Sequence, residues 1–128
     1  MLVQKSSFVA LVEDDAAVRK AIVSLLGAAG IRTASFATGE AFLRSTHAHA
    51  AGCLIVDLQL GGMSGLELQH CLVKMESRMP IIFVTAHEDS EGHIRDEALN
   101  AGAAAFLHKP FDDVDLLRAI ETALGGNS

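Results

Sequence analysis

Tryptophan and tyrosine are absent, and aromatic residues make up only 5% of the chain. With half of the residues apolar, the core has to be built from Val, Ile, Leu and Ala. Basic residues are scarce as well: ten Lys and Arg stand against sixteen Asp and Glu, a formal charge of −6. That balance argues against nucleic acid or an anionic membrane as a direct partner of this domain. Cysteine is limited to Cys53, inside an apolar run, and Cys71, inside a helical pattern. Two thiols so placed read as buried groups in a reducing compartment, which excludes a disulfide framework. Long apolar runs are missing too. The opening residues, MLVQKSSFVALVEDD, hold a run far too short for a signal-peptide core or a membrane span, so a soluble cytoplasmic protein is expected. No linker, repeat or low-complexity segment interrupts the 128 residues, which fit one domain able to bury a core without staples.

What is present is an orderly alternation. FVALVE (Phe8–Glu13), CLIVDL and PIIFVTA are continuous apolar runs, the pattern of strands buried on both faces. IRTASF alternates like a shorter strand, and AAAFLH supplies a fifth. DAAVRKAIVSLLGAAG places Val18, Ile22, Leu25 and Leu26 on one helical face and stops at Gly30. TGEAFLRST reads as a short helix capped near Thr38, with a loop through HAHAAG. SGLELQHCLVKMES is a helix whose apolar residues are Leu66, Leu68, Leu72, Val73 and Met75. SEGHIRDEALNAG is a polar, weakly amphipathic helix ending at Gly102, and FDDVDLLRAIETAL a last one capped by Asp112 or Asp113. Five strands alternating with five helices signify a parallel sheet covered on both faces. Right-handed crossovers then favour an α/β doubly wound sheet of order 2-1-3-4-5, with its core over about residues 8–124 and a tail or linker start at 125–128.

Ligands of such a sheet bind at the carboxyl ends of the strands, near the point where strand order reverses. There the sequence puts Glu13, Asp14 and Asp15 after the first strand and Asp57 after the third. Thr85 follows the fourth strand, and His108, Lys109 and Pro110 the fifth. Packed carboxylates repel one another unless a cation shares the site. A hard divalent ion such as Mg²⁺, which takes one or two carboxylates plus waters, is the fitting counter-charge, with Lys109 as a second point charge. Carboxylate, Mg²⁺, hydroxyl and ammonium together make a phosphoryl-transfer constellation. Singly, each residue has a plainer role. Any one of the first three acids can cap a helix, Asp15 above all, while Thr85 can be a strand-end hydroxyl and Lys109 a solvated lysine. Asp57 resists that reading, because its helix starts about seven residues later, too far for capping. The coincidence at four strand ends carries the functional reading.

Four segments, VEDDAAVRKAI, LIVDLQLGGMSGLEL, PIIFVTAH and AGAAAFLHKPF, resemble those of the receiver domains of bacterial two-component response regulators. In order they are similar to the acidic-pair, phosphoacceptor, switch-hydroxyl and lysine segments. The likeness runs from about Phe8 to Leu124, and SLLGAAG, CLIVDL and GLELQ look closest to receivers attached to LuxR-type helix-turn-helix output domains. The resemblance implies that Asp57 accepts a phosphoryl group from a phosphohistidine of a sensor histidine kinase. It implies Asp14 and Asp57 as direct Mg²⁺ ligands, Glu13 acting through water and Gln59 through its backbone carbonyl. Thr85 would donate to the phosphoryl group, and Lys109 would pair with a phosphoryl oxygen or, beforehand, with Asp57. Phe106 stands at the family's switch aromatic, which turns inward as the threonine moves. Gln59 and His87, each two residues beyond Asp57 or Thr85, would flank an attacking water and tune the acyl-phosphate lifetime. The Lys109–Pro110 bond is expected to be cis. A domain of this kind is no enzyme beyond its own phosphorylation and dephosphorylation, and its conformational switch controls an output such as transcription. Homodimerisation on phosphorylation is among the implied partnerships, and DNA contact belongs to an output domain.

The family usually carries proline where this chain has Gly61, so LGGMSG is expected to be a less pre-organised loop. GGMSG lacks the Gly-Lys-Ser/Thr ending of a P-loop, and its glycines read as a tight turn after Asp57. His47 and His49, with no Cys or third His close in sequence, read as a solvated loop and not as zinc ligands. Three rival functions fare worse. An aspartate-based phosphatase resembling the haloacid dehalogenase family would need a second acid where Gln59 stands, and a cap segment. A degenerate receiver serving only as an interaction module would not be expected to keep Glu13, Asp14, Asp57, Thr85 and Lys109. A flavodoxin-like carrier would need its phosphate loop where Glu13, Asp14 and Asp15 repel FMN.

Overall fold

The computed structural model describes residues 8–86 and 93–126. Its strands are β1 (Phe8–Val12), β2 (Arg32–Phe36), β3 (Cys53–Asp57), β4 (Ile81–Thr85) and β5 (Ala105–His108). Its helices are α1 (Ala16–Ala28), α2 (Gly39–Arg44), α3 (Gly65–Lys74), α4 (His93–Asn100) and α5 (Asp113–Glu121). The strands pair in parallel in the order β2-β1-β3-β4-β5, as the sequence pattern predicts.

The three apolar runs are β1, β3 and β4, and every residue in them is buried. Their side chains alternate between two layers, as a strand's period of two requires. Ala10, Val12, Leu54, Val56 and Phe83 face Phe42 of α2, Leu68 and Leu72 of α3 and Ala98 of α4. Val9, Leu11, Cys53, Ile55, Ile82 and Val84 face Ile22 and Leu26 of α1 and Leu116 and Ile120 of α5. Burial drives the Cys53 thiol up to about 12, so it stays protonated and inert.

Caps fix where the helices begin. The Asp15 carboxylate accepts the N–H groups of Ala17 and Val18 at 2.9 and 3.1 Å, so this acid is the cap of α1. The Thr38 hydroxyl accepts the Ala41 N–H at 3.0 Å. Ser64 and Glu67 form a reciprocal capping box at the start of α3. Asp112 is the N-cap of α5, but its side chain makes no capping bond. The Lys109–Pro110 peptide is cis.

Several expectations need correction. The HAHA segment is a turn of 3₁₀ helix, not a solvated loop. His47 stacks on Phe8 with ring centroids 4.6 Å apart, and His49 Nε2 lies 3.0 Å from the Leu43 carbonyl. On α3, Val73 and Met75 are exposed, while Gln69 is buried beside Leu68 and Leu72. Cys71 is only half-buried. The opening Ser90–Gly92 of the expected fourth helix and residues 127–128 lie outside the described residues.

The tightest point is Gly65, the first residue of α3. Its N–H donates to the Leu58 carbonyl at 3.0 Å. A Cβ there would stand 2.7 Å from the Asp57 carbonyl oxygen and 2.9 Å from Leu58 Cα. The first turn of α3 thus rests directly on the backbone carrying Asp57. Gly65→Ala would normally gain helix propensity, yet here overpacking wins, and we expect a loss of about 1–3 kcal/mol. Urea denaturation checks this; a midpoint at or above that of the unmodified chain would show that the loop yields without cost.

Candidate functional site

Only four polar side chains are buried among the described residues, and three of them, Glu13, Asp57 and Thr85, lie at the carboxyl edge of the sheet. Asp57 is the last residue of β3, Thr85 the last of β4, and Glu13 immediately follows β1. Lys109 follows β5 and reaches back over this edge. Its Nζ donates to Asp57 Oδ2 at 2.7 Å and to Glu13 Oε1 at 3.0 Å. Its backbone N–H donates to the Thr85 carbonyl at 2.7 Å, which ties the lysine's own backbone to the end of β4.

The remaining carboxylate oxygens accept backbone donors. Asp57 Oδ1 takes the Gln59 N–H at 2.8 Å, and Glu13 Oε2 takes the Asp15 N–H at 3.1 Å. Burial raises Glu13 above its ordinary 4.5, with the Asp57 charge adding to the rise; the Asp15 N–H and the Lys109 ammonium oppose it. Burial by itself would lower Lys109. The hydrogen bonds and charges of Asp57 and Glu13 outweigh that, and the ammonium ends above its ordinary 10.5.

Asp14 points outward from the same edge and is exposed. Its Oδ2 accepts the Gly61 N–H at 3.2 Å, a donor that proline would lack. The loop is tied further by the Met63 N–H on Glu40 Oε2 at 3.2 Å, and Gly62 turns the chain at φ 76°. The less pre-organised loop expected from Gly61 is therefore anchored at both ends and in the middle, by backbone donors invisible in the sequence.

The structure gathers Glu13, Asp57 and Lys109 into one hydrogen-bonded group, with Asp14 at its rim and Thr85 on the neighbouring strand end. Gln59 is exposed and contributes its N–H to Asp57. Phe106, on β5, is half-buried, with its ring centroid 6.1 Å from that of Phe83. His87 lies outside the described residues. Sequence reasoning missed Arg19, whose Nη1 donates to the Glu13 carbonyl at 2.7 Å and holds the end of β1 from α1. Its helical position, one turn after Asp15, was the signal.

No three His, Cys, Asp or Glu side chains among the described residues close into a metal cage. The acids at this edge offer only oxygens, two pairs on the buried carboxylates of Glu13 and Asp57 and one pair on the exposed Asp14. That set fits a hard ion that takes few protein ligands and keeps its waters, as Mg²⁺ does, and offers nothing to a soft, thiolate-seeking one.

Comparison with known proteins agrees with this geometry. The family model described as the response regulator receiver domain matches residues 9–121. The chain is 41% identical over 120 residues to response regulator protein TmoT of Ectopseudomonas mendocina, covering 94% of this chain and 54% of that protein. It is 36% identical over 115 residues to the transcriptional regulatory protein FixJ of Azorhizobium caulinodans, covering 90% and 54%. It superposes on the crystal structure of FixJ-N with a TM-score of 0.82 at 31% identity, covering 94% of this chain and 95% of that one. The chain spans about half the length of the curated relatives it matches. No helix among the described residues is long and apolar enough to cross a membrane.

The shared ammonium makes a pH signature. Lys109 is raised, so its stabilisation is complete below 10.5 and is lost as pH climbs through its folded value. Lys109→Met leaves Glu13 and Asp57 facing each other with no counter-charge. We expect a loss of about 2 kcal/mol at neutral pH, below the ~3–5 of a wholly buried pair because Nζ keeps some solvent. Glu13 is raised too and protonates early on acidification, so the deficit narrows as pH falls towards 4.5 and again above 10.5. Thermal melts of both proteins across this range check it; a deficit independent of pH would refute the electrostatic account.

Proposed function

The chain belongs to the response regulator receiver family, the receiver domain of two-component signalling, and on that premise we propose that Asp57 is its phosphoacceptor. The observation carrying this is the position of Asp57. It is a buried carboxylate at a strand end, with one oxygen on an ammonium and the other on a backbone N–H, and no helix for it to cap.

A sensor histidine kinase presents a phosphohistidine at this edge. One Asp57 oxygen attacks phosphorus in line, the O–P bond forms as the N–P bond breaks, and the imidazole leaves. Lys109 already holds Asp57 Oδ2 and needs only a small movement to follow charge onto the phosphoryl oxygens. Asp14 and Asp57, with Glu13 through water and the Gln59 carbonyl, would hold Mg²⁺, which supplies further positive charge to those oxygens. Thr85 donates its hydroxyl to the new phosphoryl group, and Phe106 swings inward behind it. Gln59 flanks the approach of the hydrolytic water, and it and His87 set the lifetime of the acyl phosphate.

The domain thus works on itself and turns over no external substrate. Its product is a shift between two arrangements of α4 and β5 that alters a partner or homodimer surface. In a full-length protein of the kind it resembles, that shift serves transcription in the cytoplasm, with DNA contact left to another domain. A hydrolytic phosphatase reading has less support, because an exposed Gln59 occupies the place where a second acid would act.

Incubation with acetyl phosphate and Mg²⁺, followed by intact-mass measurement, should add one phosphoryl group. Asp57→Asn should abolish the addition. Thr85→Ala should still be phosphorylated but lose most of the accompanying spectral change. Phosphorylation of Asp57→Asn to the level of the unmodified chain would place the acceptor elsewhere.

A further inference from the structure

Gln69 is the fourth buried polar residue among those described, and it lies away from the sheet edge. It sits on the inward face of α3 beside Leu68 and Leu72, 1% exposed. Its Nε2 crosses to α4 and donates to the Ala98 carbonyl at 3.0 Å. That carbonyl already accepts the Ala103 N–H, also at 3.0 Å, in the turn that ends α4. It therefore does not need the glutamine. The other half of the carboxamide, Oε1, is buried and has no hydrogen-bond partner. A buried acceptor left without a protein donor costs more than one neutral hydrogen bond returns, so a leucine would suit this position better in the arrangement seen. Gln69 weakens the seam between α3 and α4.

The seam is lightly held in other respects. Ala98, a small side chain, is the one fully buried residue of α4, and Ile94 packs against the same layer only part-buried. A second link, His70 Nε2 to Glu97 Oε2 at 3.8 Å, lies on the solvent side with both side chains more than half exposed.

We propose that Gln69 is a positioning residue that primes α4 for displacement. Its carboxamide is fully bonded only when the last turn of α4 shifts and Oε1 gains a donor, from water or from backbone. The unmatched acceptor raises the free energy of the resting arrangement and so narrows the gap to the displaced one. A residue that breaks a local packing rule without gain at rest is where a functional compromise is expected. The proposal rests on reading Asp57 as the trigger of that displacement.

Gln69→Leu in the 128-residue chain tests it, with Gln69→Met as a second apolar variant should the branched side chain pack badly. Both are expected to melt higher and to slow amide exchange over 98–103 with no phosphoryl mimic present. With Mg²⁺ and beryllofluoride, the concentration that shifts the α4 resonances should rise on the order of tenfold. Unchanged or faster exchange in both variants overturns the proposal. So does an unchanged beryllofluoride midpoint when the unmodified chain responds. If the unmodified chain itself fails to respond, the Asp57 reading falls, and the exchange measurement alone decides for or against Gln69.

Discussion

One ammonium shared between two buried carboxylates holds the functional edge of this sheet together. Glu13 comes from the end of β1, Asp57 from the end of β3, and Lys109 arrives from β5, past the end of β4. Without that cation, the two acids would be driven apart or one of them would take up a proton. With it, the edge remains under-neutralised, since Glu13, Asp57 and the nearby Asp14 outnumber the single lysine. That residual negative charge favours a hard cation, and the oxygen-only donor set restricts which kind. The same lysine is close enough to follow charge from a carboxylate to a group bound upon it. Stability and reactivity at this edge are therefore one electrostatic arrangement.

The backbone around Asp57 leaves its carboxylate little freedom to wander. Val84 accepts the Leu58 N–H at 3.2 Å, so the chain is still paired with β4 one residue beyond the acid. Gly65 then folds α3 back until a side chain larger than hydrogen would strike the Asp57 carbonyl. Gln59 and Gly61 turn their N–H groups towards Asp57 and Asp14 respectively. Pre-organisation of this sort costs stability during folding and lowers reorganisation at the moment of reaction. In this chain much of it comes from backbone donors, and so it does not depend on a rigid residue at position 61.

The order of elements, the strand order and the acids at the strand ends were legible because they follow from periodicity and topology, which need only residue types. Three uninterrupted apolar runs could be nothing but doubly covered strands, and the placing of Glu13, Asp57, Thr85 and Lys109 followed. Contacts across elements were not legible. Val73 and Met75 look like core because they are apolar, yet α3 turns Gln69 inward at their expense. The stacking of His47 on Phe8 joins a 3₁₀ turn to the start of β1, a proximity that no spacing announces. The Gly61 donor to Asp14 is a backbone group, and backbone groups are the same in every sequence. What failed was the step from local pattern to packing, where tertiary geometry overrides propensity.

Buried polar groups are expensive, and besides the Thr33 hydroxyl on β2 the described residues keep them in two places with different degrees of satisfaction. At the sheet edge, charge meets charge and each carboxylate also accepts a backbone N–H. In the seam between α3 and α4, one neutral amide is half satisfied. Between the two lies Phe106, against Phe83, in the same apolar layer as Ala98. An inward turn of that ring would need volume from the layer. α1 and α5 each anchor two large aliphatic side chains in the opposite layer, and α3 anchors Leu68 and Leu72 in this one. α4 buries only Ala98 completely, with Ile94 packed part-buried against the same layer. Burial energy scales with apolar area, so α4 is the wall with least to lose by moving. A displacement of the kind proposed for α4 would therefore give up less fully buried apolar area than the same displacement of α3.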